Sequence, residues 1–252
     1  MIGPLPYIGG KTRLAAEIIA MLPSHTTYVE AFAGGAQVFF RKEPSRVEVL
    51  NDLDGELVNF LRVCQWHHEE LIRYLRYMVA ARRWHGLLKA SDPAALTDIQ
   101  RAGRTLFLQK TSFGGLIRKR HYHYCVTQPP NFNPSRIPAT IEQAHRRLIR
   151  VQLENLPYEQ VLKRYDRPTT LFYLDPPYFQ RKLYRFNLED AEFVAMRDRL
   201  RSLKGRFILS LNDHAEVHRI FAEFRIRRTA IRYSAQRRPE KQYGELLICN
   251  FD

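Results

Sequence analysis

Residues 170–178 read Thr-Leu-Phe-Tyr-Leu-Asp-Pro-Pro-Tyr, and this stretch decides the fold. The apolar run 170–174 predicts a buried strand. Asp175 and two prolines follow, and because each proline fixes φ and removes a backbone donor, the chain must leave the sheet there as a stiff loop. An acid beside carbonyl acceptors and the flat ring of Tyr178 suits a planar substrate with an exocyclic amine, such as a nucleobase flipped out of a duplex. By itself, Asp-Pro-Pro is equally typical of a plain turn at a strand end.

An earlier part of the chain predicts a strand–helix–strand unit. Residues 26–33 have the composition of a strand that ends at Gly34-Gly35, and we expect a helix from there through Phe40. Residues 46–50 predict a second strand, which ends at Asn51-Asp52. This succession is typical of a parallel sheet.

The remainder of the chain predicts an α/β core interrupted by a mostly helical insert. Residues 112–138 mix basic and aromatic side chains with turn-forming residues and predict a β-hairpin or an ordered loop exposed to a partner. The domains expected are a discontinuous core, residues 1–55 and 150–252, and an insert, residues 56–149. We expect helices near residues 56–78, 98–110, 140–150, 189–203 and 215–221, and strands near residues 151–155, 206–211, 225–233 and 245–251.

The net charge of +14 over 252 residues indicates a polyanionic partner. It is concentrated in residues 56–150, which hold 16 Lys and Arg against six Asp and Glu, a net charge of +10 that leaves +4 for the rest. A basic surface kept only for solubility is the alternative, but solubility does not require the charge to gather in one segment. The pattern therefore predicts a catalytic core with an insert that grips nucleic acid.

The cysteines, the hydropathy and the missing motifs exclude several classes of protein. Three scattered cysteines argue against a disulfide framework and fit a reducing cytosol. No apolar run approaches the ~20 residues needed to cross a bilayer, and the start of the chain does not resemble a signal peptide. No metal-binding spacing is present. A phosphate-binding loop ending at Lys11-Thr12 is excluded because Leu5 stands where that motif requires glycine.

Three candidate site positions fall at predicted strand ends, where open α/β sheets bind ligands. The turn at Gly34-Gly35 would allow a backbone to approach a ligand closely. Asp52 ends the next strand, where a carboxylate can bind ribose hydroxyls. Asp175 ends a third strand. The combination of the glycine turn, Asp52 and Asp175 indicates a ligand-binding site more strongly than any one of them does.

Five motifs follow one another along the chain. They are Pro6-Tyr7-Ile8-Gly9-Gly10-Lys11, residues 28–35, residues 51–57, Ser112-Phe113-Gly114-Gly115 with Asn131-Phe132-Asn133, and Asp175-Pro176-Pro177-Tyr178. In this order they resemble the Dam-like family of DNA adenine-N6 methyltransferases, over nearly the whole chain. The resemblance implies a Rossmann-like, S-adenosylmethionine-dependent methyltransferase sheet with an inserted, mostly helical DNA-recognition domain.

The same resemblance implies S-adenosylmethionine as methyl donor, double-stranded DNA as substrate and no metal. It implies cofactor binding by Tyr7, Lys11, Glu30, Phe32, Gly34, Gly35, Asp52 and Asp175. It implies catalysis by Asp175, Pro176, Pro177 and Tyr178, which would hold a flipped adenine for methylation at N6. The DNA-binding candidates are Arg118, Lys119, Arg120, Asn131, Asn133 and Arg136.

The chain departs from the family pattern at a few positions. Tyr7 stands where many members have Trp, and Ala31 where many have Pro, and neither change removes a required chemical group. Residues 118–138 look unlike those of the members that read GATC, so their target sequence is not transferred. We expect a monomer or weak dimer in the cytoplasm of a bacterial or phage-infected cell, associated with the nucleoid.

Other readings of the same residues stay open. A cytosine-N4 or an RNA-adenine methyltransferase would use nearly the same amine chemistry, so the Asp-Pro-Pro-Tyr motif alone does not exclude either. A DNA-binding module that has lost its cofactor is the alternative outside enzymes. Intact Gly34-Gly35, Asp52 and Asp175 argue against that module.

Overall fold

The computed structural model describes residues 1–7, 11–115, 120–181, 184–231 and 243–252. The strands in these residues form a seven-stranded sheet in the order β3-β2-β1-β4-β5-β7-β6. The strands are β1 (Thr27–Glu30), β2 (Val47–Asn51), β3 (Gln152–Glu154), β4 (Thr170–Leu174), β5 (Arg206–Asn212), β6 (Arg225–Ile231) and β7 (Tyr243–Cys249).

The pairing of the strands confirms a mostly parallel sheet. β1 pairs in parallel with β2 on one side and with β4 on the other, and β4 pairs in parallel with β5. β7 pairs antiparallel with both β5 and β6, so the two strands predicted near residues 225–233 and 245–251 are present and pair with each other. The carboxyl ends of β2, β1, β4 and β5 therefore meet at one edge of the sheet, the edge where α/β folds bind ligands.

One face of the sheet is packed with apolar side chains. Val29, Phe172 and Phe207 lie side by side on β1, β4 and β5, and none of them is exposed to solvent. Phe193 and Met196 belong to the same buried cluster. Burying each large apolar side chain contributes about 1.5–3 kcal/mol, so this layer holds the central strands in place.

The regular structure outside the sheet, in the part of the chain that the structure describes, is helical. The longest helix, α5, begins at a capping box in which Thr97 Oγ1 accepts from the Gln100 amide at 3.3 Å and Gln100 Oε1 accepts from the Thr97 amide at 3.0 Å. No helix in the described part of the chain is both long and apolar enough to cross a bilayer. The helices are α1 (Ala15–Ala20), α2 (Gly55–Trp66), α3 (His68–Leu75), α4 (Arg82–Ala90), α5 (Asp98–Thr111), α6 (Ile137–Leu148), α7 (Tyr158–Tyr165), α8 (Asp190–Arg201) and α9 (Ala215–Ile220).

One helix prediction was wrong. The helix expected from Gly35 to Phe40 is a series of turns, because Gly34 and Ala36 have positive φ angles of 49° and 47° and a helix cannot propagate through them. The helical structure expected over residues 56–78 is present as two helices, α2 and α3, which are separated at His67, whose φ of −132° is not helical. The helices α1, α4 and α7 were not predicted.

The basic and aromatic stretch after α5 has the hairpin-like closure that its sequence predicted. Ser112 and Tyr122 form an antiparallel bridge. The amide of Phe113 donates to the carbonyl of His121 at 3.1 Å, and the amide of His123 donates to the carbonyl of Thr111 at 2.8 Å. These bonds bring the two ends of a short loop together.

The chain divides into two compact units. The first comprises Met1–Thr12, Gly34–Lys42 and Asp54–Asn155, and the second comprises Arg13–Ala33, Glu43–Leu53 and Leu156–Asp252. The predicted domains, residues 1–55 with 150–252 and residues 56–149, stay a prediction. The units differ from them by grouping the start of the chain and the glycine turn with the helical residues.

Candidate active site

The segment Asp175–Tyr178 leaves the sheet directly after β4, as its sequence predicted. Pro176 is buried, whereas Asp175, Pro177 and Tyr178 are partly exposed. The amide of Arg181 donates to the carbonyl of Tyr178 at 3.0 Å and closes a turn. Both prolines and this turn restrict the backbone, so the carboxylate and the aromatic ring project from a rigid loop.

The residue after this segment anchors the loop in the core. Phe179 is 2% exposed, and its ring centroid lies 5.1 Å from that of Phe193 and 5.0 Å from that of His214. Its carbonyl accepts a long hydrogen bond of 3.4 Å from the side-chain amide of Asn212, the last residue of β5. The loop is therefore fixed immediately behind Tyr178.

Tyr178 is also held by its hydroxyl group, through a residue that sequence reasoning missed. The hydroxyl donates to Oε1 of Glu245 at 3.0 Å. The hydroxyl of Ser210 donates to the same oxygen. Glu245 lies 67 residues from Tyr178 in the chain, and no local motif marked it.

Three predicted site residues lie level with one another beyond the strand ends of the second unit. Glu30, the last residue of β1, pairs with the fourth residue of β2 and with the fourth residue of β4. Phe32, Asp52 and Asp175 each lie two residues beyond that level on the three neighbouring chains. The sheet register therefore brings an aromatic ring and two carboxylates to one edge. Asp52 and Asp175 lie at the strand ends where the sequence predicted them.

A buried asparagine fixes the backbone next to Asp52. The side-chain amide of Asn51 donates to the carbonyl of Ala31 at 2.9 Å and to the carbonyl of Leu156 at 3.0 Å. Its side-chain oxygen accepts from the amide of Leu156 at 2.9 Å. Three segments are thereby joined at the carboxyl end of β2, which sets the position of Asp52.

The side chain of Glu30 is buried and does not lie at the surface of the predicted binding edge. It is 1% exposed, and its Oε1 accepts from the hydroxyl of Tyr28 at 2.8 Å. Burial, with Glu30 nearby, raises the pKa of Tyr28 well above its usual value, so the phenol stays a donor. Phe32 is partly exposed and packs against Tyr158, with ring centroids 5.2 Å apart.

In the first unit, the glycine turn is shaped around Tyr7. A β-carbon placed on Gly34 would lie 3.2 Å from two ring atoms of Tyr7, and one placed on Gly35 would lie 2.9 Å from the β-carbon of Tyr7. Gln37 holds the same segment through bonds from Nε2 to the carbonyls of Gly35, at 3.1 Å, and Leu5, at 3.3 Å. These glycines are thus required by the protein's own N-terminal segment.

A cavity of about 390 Å³ lies beside Tyr7. Thr12, Lys110 and Asn131 contribute to its lining, and burial lowers the pKa of the Lys110 ammonium from its usual value. Lys11 is buried at 4% exposure. The residues between Tyr7 and Lys11 in the predicted aromatic-Gly-Gly-Lys motif lie outside the described residues.

The predicted DNA-binding residues have different environments. Arg118 and Lys119 lie outside the described residues. Arg120 is partly buried, its carbonyl accepts from Nε2 of His85 at 2.7 Å, and burial lowers the pKa of its guanidinium. An inward-facing guanidinium of this kind is a poor candidate for a phosphate contact.

The other three candidates are exposed. Asn133 uses its side-chain oxygen within a turn, where it accepts from the Ser135 amide at 3.0 Å and from the Ser135 hydroxyl at 2.7 Å. Arg136 precedes the first residue of α6, and Asn131 lines the cavity beside Tyr7. Arg136 therefore has the most accessible charge of the described candidates.

Arg82 is an exposed cationic residue that was not among the predicted DNA-binding residues. The guanidinium carbon of Arg82, at the start of α4, lies 5.0 Å from the ring centroid of Tyr122 and 5.4 Å from that of Tyr124. Cation–π contacts orient an arginine without neutralising it. Two aromatic residues of the basic and aromatic stretch, Tyr122 and Tyr124, therefore contact a cation on α4.

Comparison with known proteins identifies the family. The sequence model of D12 class N6 adenine-specific DNA methyltransferase matches residues 7–234. The chain belongs to this family. The matched range begins at Tyr7, contains Asp175–Tyr178 and ends before Glu245.

Two curated proteins that are similar to this D12-class chain are both named as methyltransferases. A DNA N-6-adenine-methyltransferase of Escherichia phage P1 is 28% identical over 116 residues, which are 44% of this chain but only 15% of the phage protein. The Type II methyltransferase M.CviBI of Paramecium bursaria Chlorella virus NC1A is 23% identical over 177 residues, which are 68% of this chain and 67% of the viral protein.

Membership of the D12 class implies a methyl donor. The edge formed by Phe32, Asp52 and Asp175 offers two carboxylates, which can accept hydrogen bonds from a ligand, and an aromatic ring, which can pack on a planar group. Among the described residues, no group of three or more His, Cys, Asp and Glu side chains is placed to hold a metal ion. The roles predicted for individual site residues stay predictions.

Proposed function

We propose that this D12-class chain transfers the methyl group of S-adenosylmethionine to the N6 amine of an adenine flipped out of double-stranded DNA. One observation carries the proposal. The Asp175–Tyr178 loop leaves β4 at the level of Asp52 and Phe32, so an amine-binding loop and a donor-binding edge adjoin in the second unit. Family membership supplies the reaction class.

The donor would be held by residues of the strand ends. Asp52 would accept from the ribose hydroxyls, as an acid at the end of the second strand does in related sheets, and Phe32 would pack on the adenine ring. Tyr7, Lys11, Gly34 and Gly35 are further candidates from the family resemblance, with Glu30 as a buried support. When bound, S-adenosylmethionine supplies an electrophilic methyl group on a positively charged sulfur.

The target amine would be oriented by the loop. Asp175 and the carbonyl of Pro176 would accept hydrogen bonds from the N6 amine, which directs the nitrogen lone pair at the methyl group. The methyl group that the bound donor would supply could then pass to this nitrogen, with the bonding electrons of the broken S–C bond left on sulfur and one amine proton released to water. Tyr178 would stack on the flipped base. The catalysis required is positioning and electrostatics, without a covalent enzyme intermediate.

The basic insert would bind the DNA backbone. Residues 56–150 hold the net charge of +10, and the exposed guanidinium of Arg136 and the ring-supported guanidinium of Arg82 are described members of that charge. Arginine suits both phosphate contacts and bidentate contacts to guanine. The same proposal places the enzyme with DNA in the cytoplasm of a bacterial or phage-infected cell, associated with the nucleoid, as a monomer or weak dimer.

A direct assay tests the proposal. Purified protein is incubated with unmethylated plasmid and S-adenosylmethionine, and N6-methyladenine is mapped by single-molecule sequencing, with a reaction lacking the donor as control. Modified adenines in a recurring context are the expected result. Methylation of cytosine N4, methylation of RNA alone, or no methylation by protein that binds the donor would each overturn it.

A further inference from the structure

Glu245 is a buried carboxylate on a strand of apolar residues. It lies on β7, is 1% exposed and precedes Leu246, Leu247 and Ile248, none of which is exposed. A desolvated carboxylate is costly unless hydrogen bonds compensate for the lost water. An apolar residue would serve the packing of β7 better, so the acid indicates a requirement other than packing.

The hydrogen bonds of Glu245 identify that requirement. Its Oε1 accepts from the hydroxyl of Tyr178 at 3.0 Å and also from the hydroxyl of the buried Ser210. In the register of β5 and β7, Glu245 pairs with Asn212, which lies on the same face of β5 as Ser210. The serine hydroxyl therefore reaches the carboxylate from the neighbouring strand, and its hydrogen bond fixes the position of the oxygen that accepts from Tyr178.

The bond acts on the part of Tyr178 that would otherwise move most. A tyrosine ring can swing about two torsions, and its hydroxyl is the atom farthest from the backbone. The backbone of the loop is already fixed by Pro176, Pro177 and the anchored Phe179. The bond to Glu245 restrains the remaining freedom, which is the direction of the ring.

We propose that Glu245 is a positioning residue that holds the ring of Tyr178 as the stacking surface for the flipped base. The proposal rests on the proposed function, because it assigns that surface to Tyr178. Glu245 also lies beyond residues 7–234, the range that the family model matches, so the family match does not assign it this role. In this arrangement β7 contributes to the site through Tyr178 without touching the substrate.

The test compares four single variants and one double variant on the adenine context mapped for the wild type. Glu245→Leu removes the acceptor, and Tyr178→Phe removes the donor but keeps the ring. Each is expected to slow single-turnover methyl transfer by about ten- to a hundredfold, the worth of a hydrogen bond to a charged group, with the dissociation constant for DNA little changed. The double variant is expected to be no slower than the slower single variant, because both remove the same bond.

Two conservative variants complete the set. Glu245→Gln keeps an oxygen acceptor and is expected to restore the transfer rate to within about threefold of the wild type, and Ser210→Ala removes a donor other than Tyr178 and is expected to stay within about the same limit. Thermal unfolding of every variant separates misfolding from mispositioning. If Glu245→Leu fails to fold, the rates of Tyr178→Phe and Glu245→Gln decide the question.

The outcomes are distinguishable. A wild type that methylates no adenine overturns the proposed function itself. A wild type that does, together with a folded Glu245→Leu or Tyr178→Phe that transfers at the wild-type rate, overturns only the role of Glu245. So do losses that multiply in the double variant, or a Glu245→Gln as slow as Glu245→Leu.

Discussion

The ring of Tyr7 lies against Gly34, so closely that a β-carbon on Gly34 would come within 3.2 Å of the ring atoms Cδ1 and Cε1. Gly34 also has a φ of +49°, which disfavours any other residue. The sequence suggested that this glycine turn leaves room for a ligand. The structure adds that the protein's own aromatic ring occupies the space beside it.

Replacing Gly34 by alanine should therefore destabilise the first unit. The strained backbone and the contact with Tyr7 together predict a loss of about 1–3 kcal/mol in the free energy of unfolding. Urea denaturation measures it. The matched control is Gly86→Ala in α4, where a new β-carbon meets nothing within 4 Å and the helix should gain about 0.4–1 kcal/mol. Equal stabilities of the two variants would contradict this explanation of the turn.

Asp175→Ala should remove methyl transfer and leave DNA binding nearly intact. Losing a preorganised acceptor at the reacting amine predicts a fall of about 100- to 1000-fold or more in the transfer rate. Single-turnover assays and a duplex-binding titration measure the two effects. Asp198→Asn is the control, since it removes a carboxylate from an exposed ion pair on α8. An Asp175→Ala variant that still transfers methyl groups would refute the catalytic assignment.

Arg136→Ala should weaken binding to all DNA sequences alike. If its exposed guanidinium contacts a phosphate, the slope of log affinity against log salt should fall by about one. Arg201→Ala serves as control, because it removes the same charge from a side chain paired with Glu223 in the second unit. A loss confined to the preferred sequence would instead indicate that Arg136 reads a base.

His85 should make the stability of the first unit depend on pH. Burial, with the cationic Lys89, Arg120 and Arg82 nearby, lowers the pKa of His85 below its usual value near 6.5. The unfolded chain then binds a proton more readily than the folded chain, so the contribution of His85 to stability is present above the unfolded pKa and lost as the pH falls through the folded pKa.

Denaturant unfolding from pH 8 down to pH 5 tests this effect. His85→Gln should flatten the decline in unfolding free energy across that window, although it loses the bond to the Arg120 carbonyl and starts from a lower stability. His121→Gln is the matched control, because His121 is exposed and directly follows Arg120 in the chain. A decline as steep in His85→Gln as in the wild type would show that other groups cause it.

Local signals predicted the parts of the site that depend on neighbours in the chain. The bounds of β4 were predicted correctly, because five buried residues are followed by an acid and two prolines that must end a strand. Asp52 and Asp175 were placed at strand ends for the same kind of reason. The parallel register then made them level with each other, since both strands pair with β1.

Other parts could not be predicted because they depend on conformations and partners far along the chain. Arg120 belongs to a basic run that looked exposed, yet its side chain is partly buried. The residues after Gly35 have a helical composition, yet the positive φ of Ala36 keeps them as turns. Periodicity describes only which side of an element is apolar, and it does not describe what the rest of the fold places beside it.

The sequence by itself determined the α/β class, the rigid loop after β4 and the acids at the strand ends, because alternation, proline and glycine act over a few residues. Only the tertiary structure decided that Glu245 meets Tyr178. That contact requires the last strand, β7, to lie between β5 and β6 and so to bring its acid beside the loop from β4. Strand order in a sheet is set by the packing of whole elements, which no local pattern encodes.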